Sequence, residues 1–408
     1  MATMTKTQYN VGGVLLERPF KVRRLGHFGF DNVRLEESLE FYRDLLGLRL
    51  SDVIDFARFA PDPAKFAGMG PAHGYLLRYG TDHHAFALFN RRVMQALGRR
   101  ISRPEVTINQ ITWQVGSLRQ VVDGHHWFEQ EGVEIQRSGR DPLGSNWHTY
   151  VFDPDDHINE LYYGIEQIGW DGFSKPAGQV SRFYQQVPDL PHIAELTEVE
   201  EALAKGVDLK TGRREVERLP AKYDVEGVLL PRPFKIVRIG PVKLFVENLD
   251  ACEAFYRDKL GLAPTEEVTW QGHRCVFLRA NTEHHVLGLY PLALRDVLGL
   301  SPHTTCMSFG LQLGSYQQLR DALAFLQAAG ARTVEVPPEL SPGIDYTAHV
   351  LDPDGHCLQL YYYMEQVGGD GRPRAPEQRR QVTPGVWPEA LEPLPDTYLG
   401  EPFLGPLG

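Results

Sequence analysis

The chain has 408 residues, room for about two to four domains, and at 42% hydrophobic and 23% charged it has the balance of a globular protein with a sizeable core. A formal net charge of −11 argues against a general nucleic-acid surface, no apolar run is long enough to span a bilayer, and the polar start MATMTKTQYN lacks the apolar centre of a secretion signal. The four cysteines, Cys252, Cys275, Cys306 and Cys357, fall in the second half without CxxC spacing, so neither a disulfide framework nor a zinc finger is indicated and a cytoplasmic setting is expected.

In chain order, alternation over residues 24–30 predicts a strand. Leu35, Leu39, Tyr42 and Leu46 have helical spacing and Gly47 is placed as a stop. Strand-like runs follow, ending in HHAFALF at 83–89. A second unit opens with the strand ITWQV at 111–115, continues with a helix carrying Leu118, Val121, Val122 and Phe128, and closes with HTYVF and INELYY around the turn DPDDH. Residues 172–224, charged and rich in Pro and Gly, read as a connection. The second half then repeats the order: strands at 239–246 and 285–290 around a helix at 250–260, a strand at 309–313, a helix at 316–329 and a hairpin around 352–355. The words repeat as well. VGGVLLERPFKVRRLG (11–26) returns as VEGVLLPRPFKIVRIG (225–240), FYRDLLGL (41–48) as FYRDKLGL (255–262), and VFDPDDHINELYY (151–163) as VLDPDGHCLQLYY (350–362).

The organisation is therefore four small α+β units in two pairs. Residues 1–172 form the N-terminal pair, expected to hold the site. Residues 173–224 link it to a C-terminal pair at 225–371, expected to be structural, and a Pro-rich arm follows at 372–408. Where the first copy has His27 and Glu160, the second has Pro241 and Gln359, so chemistry is expected in the first.

The closing hairpin yields geometry. A turn centred on Asp155 sets Phe152 opposite Ile158 and Tyr150 opposite Glu160, and opposed residues share a face with Cβ atoms about 5 Å apart. On the ITWQV strand Gln110, Thr112 and Gln114 share a polar face, suggesting a wet interior. On the first strand His27, Gly29 and Asp31 share a face, and Gly29 leaves room beside His27. If these faces curve round one cavity, His27, Gln110 and Glu160 converge, with Tyr150, His84 and His148 nearby and Thr112 available to a substrate. Imidazole with carboxylate suits a divalent transition metal and leaves positions open. Plainer readings stand beside these. A single histidine at a strand start is as a rule structural or solvated. A carboxylate in an apolar run such as NELYY needs a partner, which an arginine supplies as well as a metal does. His125 and His126, on a helix beside Trp127, read as surface residues, and His157, in a turn, as exposed.

The strand, FYRDxLGL helix, further strands and closing DPDxxxxELY hairpin resemble the vicinal oxygen chelate superfamily, and the two-pair layout resembles its type I extradiol ring-cleaving dioxygenases. The resemblance implies an α+β fold of four βαβββ modules in two paired-module domains, each a cupped mixed β-sheet with outer helices. It implies metal ligands at His27 and Glu160, an active-site tyrosine at Tyr150 and an acid–base histidine at His84. Three features depart from the family pattern. Gln110 stands where a second histidine ligand is expected, Asp141 where a further histidine is expected, and the candidates lie in the N-terminal instead of the C-terminal pair. The matching second-half positions are Pro241, Ser308, Gln359 and His349. The implied cofactor is Fe(2+), with Mn(2+), Zn(2+) or Ni(2+) as alternatives. The implied partners are a small aromatic substrate and O2, with a homo-oligomer expected and no nucleic acid or membrane. The expected activity is extradiol-type cleavage or oxidation of an aromatic diol or phenol. The alternatives are a non-oxidative metal enzyme of the same fold (isomerase, lyase or hydrolase) and a metal-free aromatic-ligand binding or resistance protein.

Overall fold

The computed structural model describes residues 7–100, 103–176, 179, 182–368, 370–383 and 385–392. Two eight-stranded mixed sheets account for the two halves. In the first, the spatial order is Arg49–Asp55, His73–Arg78, Phe86–Asn90, Arg24–Asn32, Ile108–Gln114, Ile158–Tyr163, Trp147–Phe152 and Ile135–Arg140. Arg24–Asn32 pairs antiparallel with Ile108–Gln114, and each of these first strands pairs parallel with the last strand of its own module. The second sheet repeats the order from Ala263–Trp270 to Arg332–Val334, with Ile236–Val246 and Cys306–Leu313 at its centre. This is α+β, with two βαβββ modules per sheet.

The Arg24–Asn32 strand shows no alternation in burial: every residue after Arg24 is buried. One face lines the site and the other packs in the common core. That core runs across both halves, where Phe28 stacks on Phe309 at 4.2 Å and Phe30 on the His356 ring at 3.8 Å between centroids.

The first predicted helix departs from a regular one in its last turn. Leu35–Glu40 is α-helical, but Phe41–Leu45 widens into a π turn closed by the Leu46 N–H on Phe41 O. The second half does the same with Leu249–Ala254 and Phe255–Leu260. Such turns re-aim side chains. Here they accompany Tyr42 and Tyr256, both fully buried, whose hydroxyls reach the opposite half. Tyr42 donates to Asp352 Oδ2 at 3.0 Å, and Tyr256 to Asp153 Oδ2 at 2.9 Å.

These contacts correct the reading of His157 as exposed. His157 is fully buried. Its Nδ1 lies 2.9 Å from Asp153 Oδ2 and its Nε2 2.9 Å from Thr305 Oγ1. His356 mirrors it, 3.0 Å from Asp352 Oδ2 and 3.0 Å from Thr107 Oγ1. A turn is normally solvated, but this turn is capped by the other half of the chain. The DPDxH and FYRD words thus build a reciprocal hydrogen-bonded latch between the halves.

The connection read for 172–224 carries structure of its own. It contains the helix Glu195–Ala204, whose Glu198 takes both guanidinium nitrogens of buried Arg140 at 2.8 Å each. Beyond residue 371, Trp387 packs on Tyr316 and Tyr346 of the second half. Residues 393–408 of the predicted arm lie outside the described residues. No helix among the described residues is long and apolar enough to cross a membrane.

Candidate active site in the N-terminal half

His27 sits where the register between the two central strands shifts, between Leu25 and Phe28. The irregularity is held by Thr112: the His27 N–H donates to Thr112 Oγ1 and the Thr112 hydroxyl donates to His27 O, both at 2.6 Å. Thr112 was expected to serve a substrate; its fully buried hydroxyl is instead engaged in fixing the His27 backbone. Gly26 is required beside it, because a Cβ there would lie 1.9 Å from the Tyr162 hydroxyl. With glycine, the Tyr162 ring packs 4.9 Å from the His27 ring.

Glu160 is opposite Tyr150 in the hairpin, and Phe152 is opposite Ile158, as the turn geometry predicts. The Glu160 side chain is fully buried. Its Oε2 faces His27 Nε2 at 3.0 Å and its Oε1 accepts from Asn146 Nδ2 at 2.6 Å. Burial pushes the carboxyl up, but the facing His27 imidazole outweighs it and holds Glu160 below the usual carboxylate range. The partner of this buried carboxylate is therefore an imidazole, not an arginine.

Tyr150 lines the same wall. Burial and the nearby Glu160 carboxylate push its phenol well above the usual value, so it stays a donor at neutral pH. Its hydroxyl donates to Gln110 Oε1 at 3.4 Å. The Arg137 guanidinium covers the Tyr150 ring at 4.3 Å. His84 packs edge-on to His27 at 4.4 Å between ring centroids. Burial, with His27 and His83 adding to it, pushes His84 well below the usual histidine value, so it is neutral. Its Nδ1 is 3.1 Å from His83 Nδ1, and His83 Nε2 is 2.8 Å from Asp52 Oδ2. A carboxylate only accepts, so His83 Nε2 carries a hydrogen; where His83 Nδ1 accepts from His84 Nδ1–H, the His84 Nε2 lone pair is left free to take a proton.

The structure thus brings His27, Glu160, Tyr150, Gln110 and His84 to one wall. Sequence reasoning missed Asn146, Arg137, His83 and Asp52. The doublet HH was the available signal for His83: it recurs as His284–His285, where His284 is again bound to a carboxylate, Glu266, at 2.9 Å.

The donor set fits a divalent cation in part. Two donors 3.0 Å apart are spaced as neighbouring ligands on one ion with bonds of about 2.1 Å at a right angle. Among the described residues no third His, Cys, Asp or Glu joins His27 and Glu160 within 4.8 Å. The remaining donor on this wall is the neutral Gln110 amide oxygen. A separate trio that meets that spacing, His125, His126 and Glu129, lies on a helix away from this wall, with His126 exposed as expected.

The second half has lost this arrangement. Gln359 faces His349, and its amide donates to Ser341 Oγ at 3.0 Å. Lys243 occupies the position of Gly29. It is fully buried, and its Nζ donates to Ser341 Oγ at 2.6 Å and to Leu340 O at 3.2 Å. An ammonium thus sits at a position where the first half has a glycine packed closely against Ala87 and Asn109, so the room expected beside His27 is not found at Gly29. Burial pushes Lys243 from 10.5 down to about 7. Between those values the unfolded chain binds the extra proton, so stability rises with pH across that window. Lys243→Met is expected to abolish that rise and to stabilise the protein most below about pH 7, read by urea denaturation across the window. An unchanged pH dependence would show that Lys243 does not carry it.

The chain matches the Glyoxalase/Bleomycin resistance protein/Dioxygenase superfamily over residues 24–161 and 238–360, and it belongs to that superfamily. Within it, the chain is similar to Metapyrocatechase 2 of Cupriavidus necator, 32% identical over 174 residues, which is 41% of this chain and 46% of that protein. It is also similar to 2,2',3-trihydroxybiphenyl dioxygenase of Sphingomonas paucimobilis, 24% identical over 133 residues, 33% of this chain and 44% of that protein. The chain spans less than half the length of these two relatives. Among solved structures it resembles BphC, a halotolerant catechol dioxygenase, with TM-score 0.56 and 12% identity over 87% of this chain and 91% of that one. It resembles the Mn(II)-bound glyoxalase from Novosphingobium aromaticivorans with TM-score 0.53 and 15% identity over 86% and 85%. At these identities the solved structures show the shared fold alone.

Proposed function

We propose that the chain is a metal-dependent extradiol-type dioxygenase that cleaves or oxidises an aromatic diol or phenol with O2, using the site in its N-terminal half. The observation that carries this reading is the buried His27–Glu160 pair, its donors facing at 3.0 Å beside a protonated phenol and a neutral imidazole. His27 and Glu160 would hold the cation, iron(II) in the first instance, with Gln110 contributing its amide oxygen. When bound, that ion supplies positions for the substrate oxygens and O2 and the redox change the reaction needs. Tyr150 donates a hydrogen bond to a substrate oxygen. His84, its Nε2 lone pair set by Asp52 and His83, takes the proton of the substrate hydroxyl. Asn146 holds the Glu160 carboxylate in place. The C-terminal half supports this site and carries no second one. The two curated relatives, both named for aromatic-compound oxygenases, support the substrate class.

Protein purified without oxygen is expected to contain one equivalent of metal per chain and to consume O2 with members of a catechol panel. A metal-loaded protein that consumes no O2 with any of them overturns the reading. One observation favours a second reading, a non-oxidative metal enzyme that uses the ion as a Lewis acid: the third donor is a neutral amide.

Gln110→His separates the roles of that amide. If Gln110 is a ligand, imidazole is the stronger donor and the iron content of the purified chain is expected to rise, with ring cleavage kept or improved. If the amide binds substrate, metal content stays the same and turnover falls about tenfold, the effect of about 1.4 kcal/mol from one lost hydrogen bond.

A further inference from the structure

We propose that Arg78 and Arg49, with Lys235 and Arg214, form a binding site for a tetrahedral oxyanion, inorganic phosphate or the phosphate of a monoester, at the seam between the two halves and the segment that connects them. The site shares no residue with the metal wall and does not depend on the dioxygenase reading.

Arg78 ends the strand His73–Arg78 and is 5% exposed. Its Nε has no hydrogen-bond partner, and among the described residues no carboxylate forms an ion pair with its guanidinium. Buried charges are as a rule paired, because leaving water without a counter-charge is costly. The acid whose charge reaches Arg78 is Glu215, and that carboxylate is taken by Arg213 Nη2 at 3.2 Å.

The surroundings add cations instead of acids. Arg49 is directly opposite Arg78 in the antiparallel pair of strands. Opposed residues share a face with Cβ atoms about 5 Å apart, and like charges there are destabilising. Burial, with Arg49 adding to it, holds Arg78 below its ordinary value. Burial with Arg49 and Arg78 does the same to Lys235, which the second half contributes. Arg214 arrives from the connection. Gly172 stands between it and Arg78: a Cβ there would lie 3.8 Å from Arg214 Nε and 4.0 Å from Arg78 Nη2.

The internal repeat supplies a comparison. The counterpart of Arg78 is Arg279, and the residue opposite it is Ala263. Arg279 reaches an acceptor within the chain, its Nη2 donating to Gly371 O at 3.5 Å. The first half thus sets a second arginine beside one whose Nε has no acceptor. Two guanidiniums side by side repel, and an anion between them reverses the sign of that interaction. Cations from both halves and the connection exceed what the two oxygens of a carboxylate serve, and a phosphate turns further oxygens to them. Arg49 is exposed and lines, with Arg43, Glu215 and Arg218, a cavity of about 270 Å³ through which an ion can enter.

The test uses the full chain in titration calorimetry and thermal denaturation, with sodium phosphate and sodium acetate compared with chloride at equal ionic strength. Phosphate is expected to bind and to raise the melting temperature, since a ligand of the folded state stabilises it. Arg49→Ala installs the residue of the second half at an exposed position and is expected to weaken phosphate at least tenfold. Arg78→Met is expected to lose it, and Arg49→Ala alone decides if Arg78→Met does not fold. Phosphate with no effect on the wild type beyond that of chloride overturns the proposal. So does a phosphate response that Arg49→Ala keeps at full strength, which places the ion elsewhere, a bound metal included. Acetate as effective as phosphate overturns the assignment to a tetrahedral oxyanion. Phenyl phosphate separates the two sources: binding as tight as that of phosphate identifies a monoester, and exclusion identifies the free ion.

Discussion

Glu160→Ala is expected to abolish metal binding and to cost about 3–5 kcal/mol of stability, the range for breaking a buried charged pair by removing one partner. The substitution strands two groups at once. His27 Nε2 loses the oxygen 3.0 Å away, and Asn146 Nδ2 loses one at 2.6 Å, both in buried surroundings where water does not replace the missing acceptor. Glu160→Gln divides the effect. The amide keeps the volume and one acceptor, so most of the stability returns while metal affinity does not. Gln359→Ala at the equivalent position of the other half is the control and is expected to leave metal content unchanged. The measurements are metal content per chain and urea denaturation. Retention of a full equivalent of metal by Glu160→Ala would remove this carboxylate from the site.

The second large effect is expected far from any substrate. Asp153→Ala should destabilise the whole chain by about 3–5 kcal/mol, because one carboxylate serves four donors. Its Oδ1 accepts from the main-chain N–H groups of Asp155 at 2.9 Å and His157 at 2.8 Å. Its Oδ2 accepts from His157 Nδ1 and from the Tyr256 hydroxyl, which belongs to the other half. Asp352→Ala is expected to cost a similar amount, since Asp352 takes His356 and Tyr42 in the same way. Tyr256→Phe, which removes a single donor, should cost about 1 kcal/mol. A loss under about 1 kcal/mol for Asp153→Ala would mean that the halves are held by the apolar core alone.

The parts of the site that were legible in the sequence are those set by local rules. A two-residue period places Tyr150 opposite Glu160 once the turn is centred, and the structure has that register. The internal repeat exposed His27 and Glu160 because their counterparts are Pro241 and Gln359. The parts that were not legible depend on distant segments. His157 reads as a turn residue until Thr305, 148 positions away, is brought against it. Lys243 stands in an ordinary strand, and nothing local marks it as buried or as filling the place of Gly29. Arg137 gains its meaning from a hairpin partner, Tyr150, and from His148 beside it, contacts that its flanking sequence IQRSG does not announce. The widened helix turns escaped for a related reason: residues 41–45 have helical spacing, and the departure serves a tyrosine whose acceptor lies in the other half.

The reciprocal latch has a consequence for how this duplicated chain can diverge. Each half supplies the aspartate that receives the other half's tyrosine, so neither copy of FYRD or DPDxH can be lost without damage to its twin. The proposed metal ligands, His27 and Glu160, carry no such obligation. The second half accordingly has proline in place of His27, glutamine in place of Glu160 and a lysine in place of Gly29, while its latch words are intact. The motifs that persist in both copies are then a record of mutual dependence between the copies.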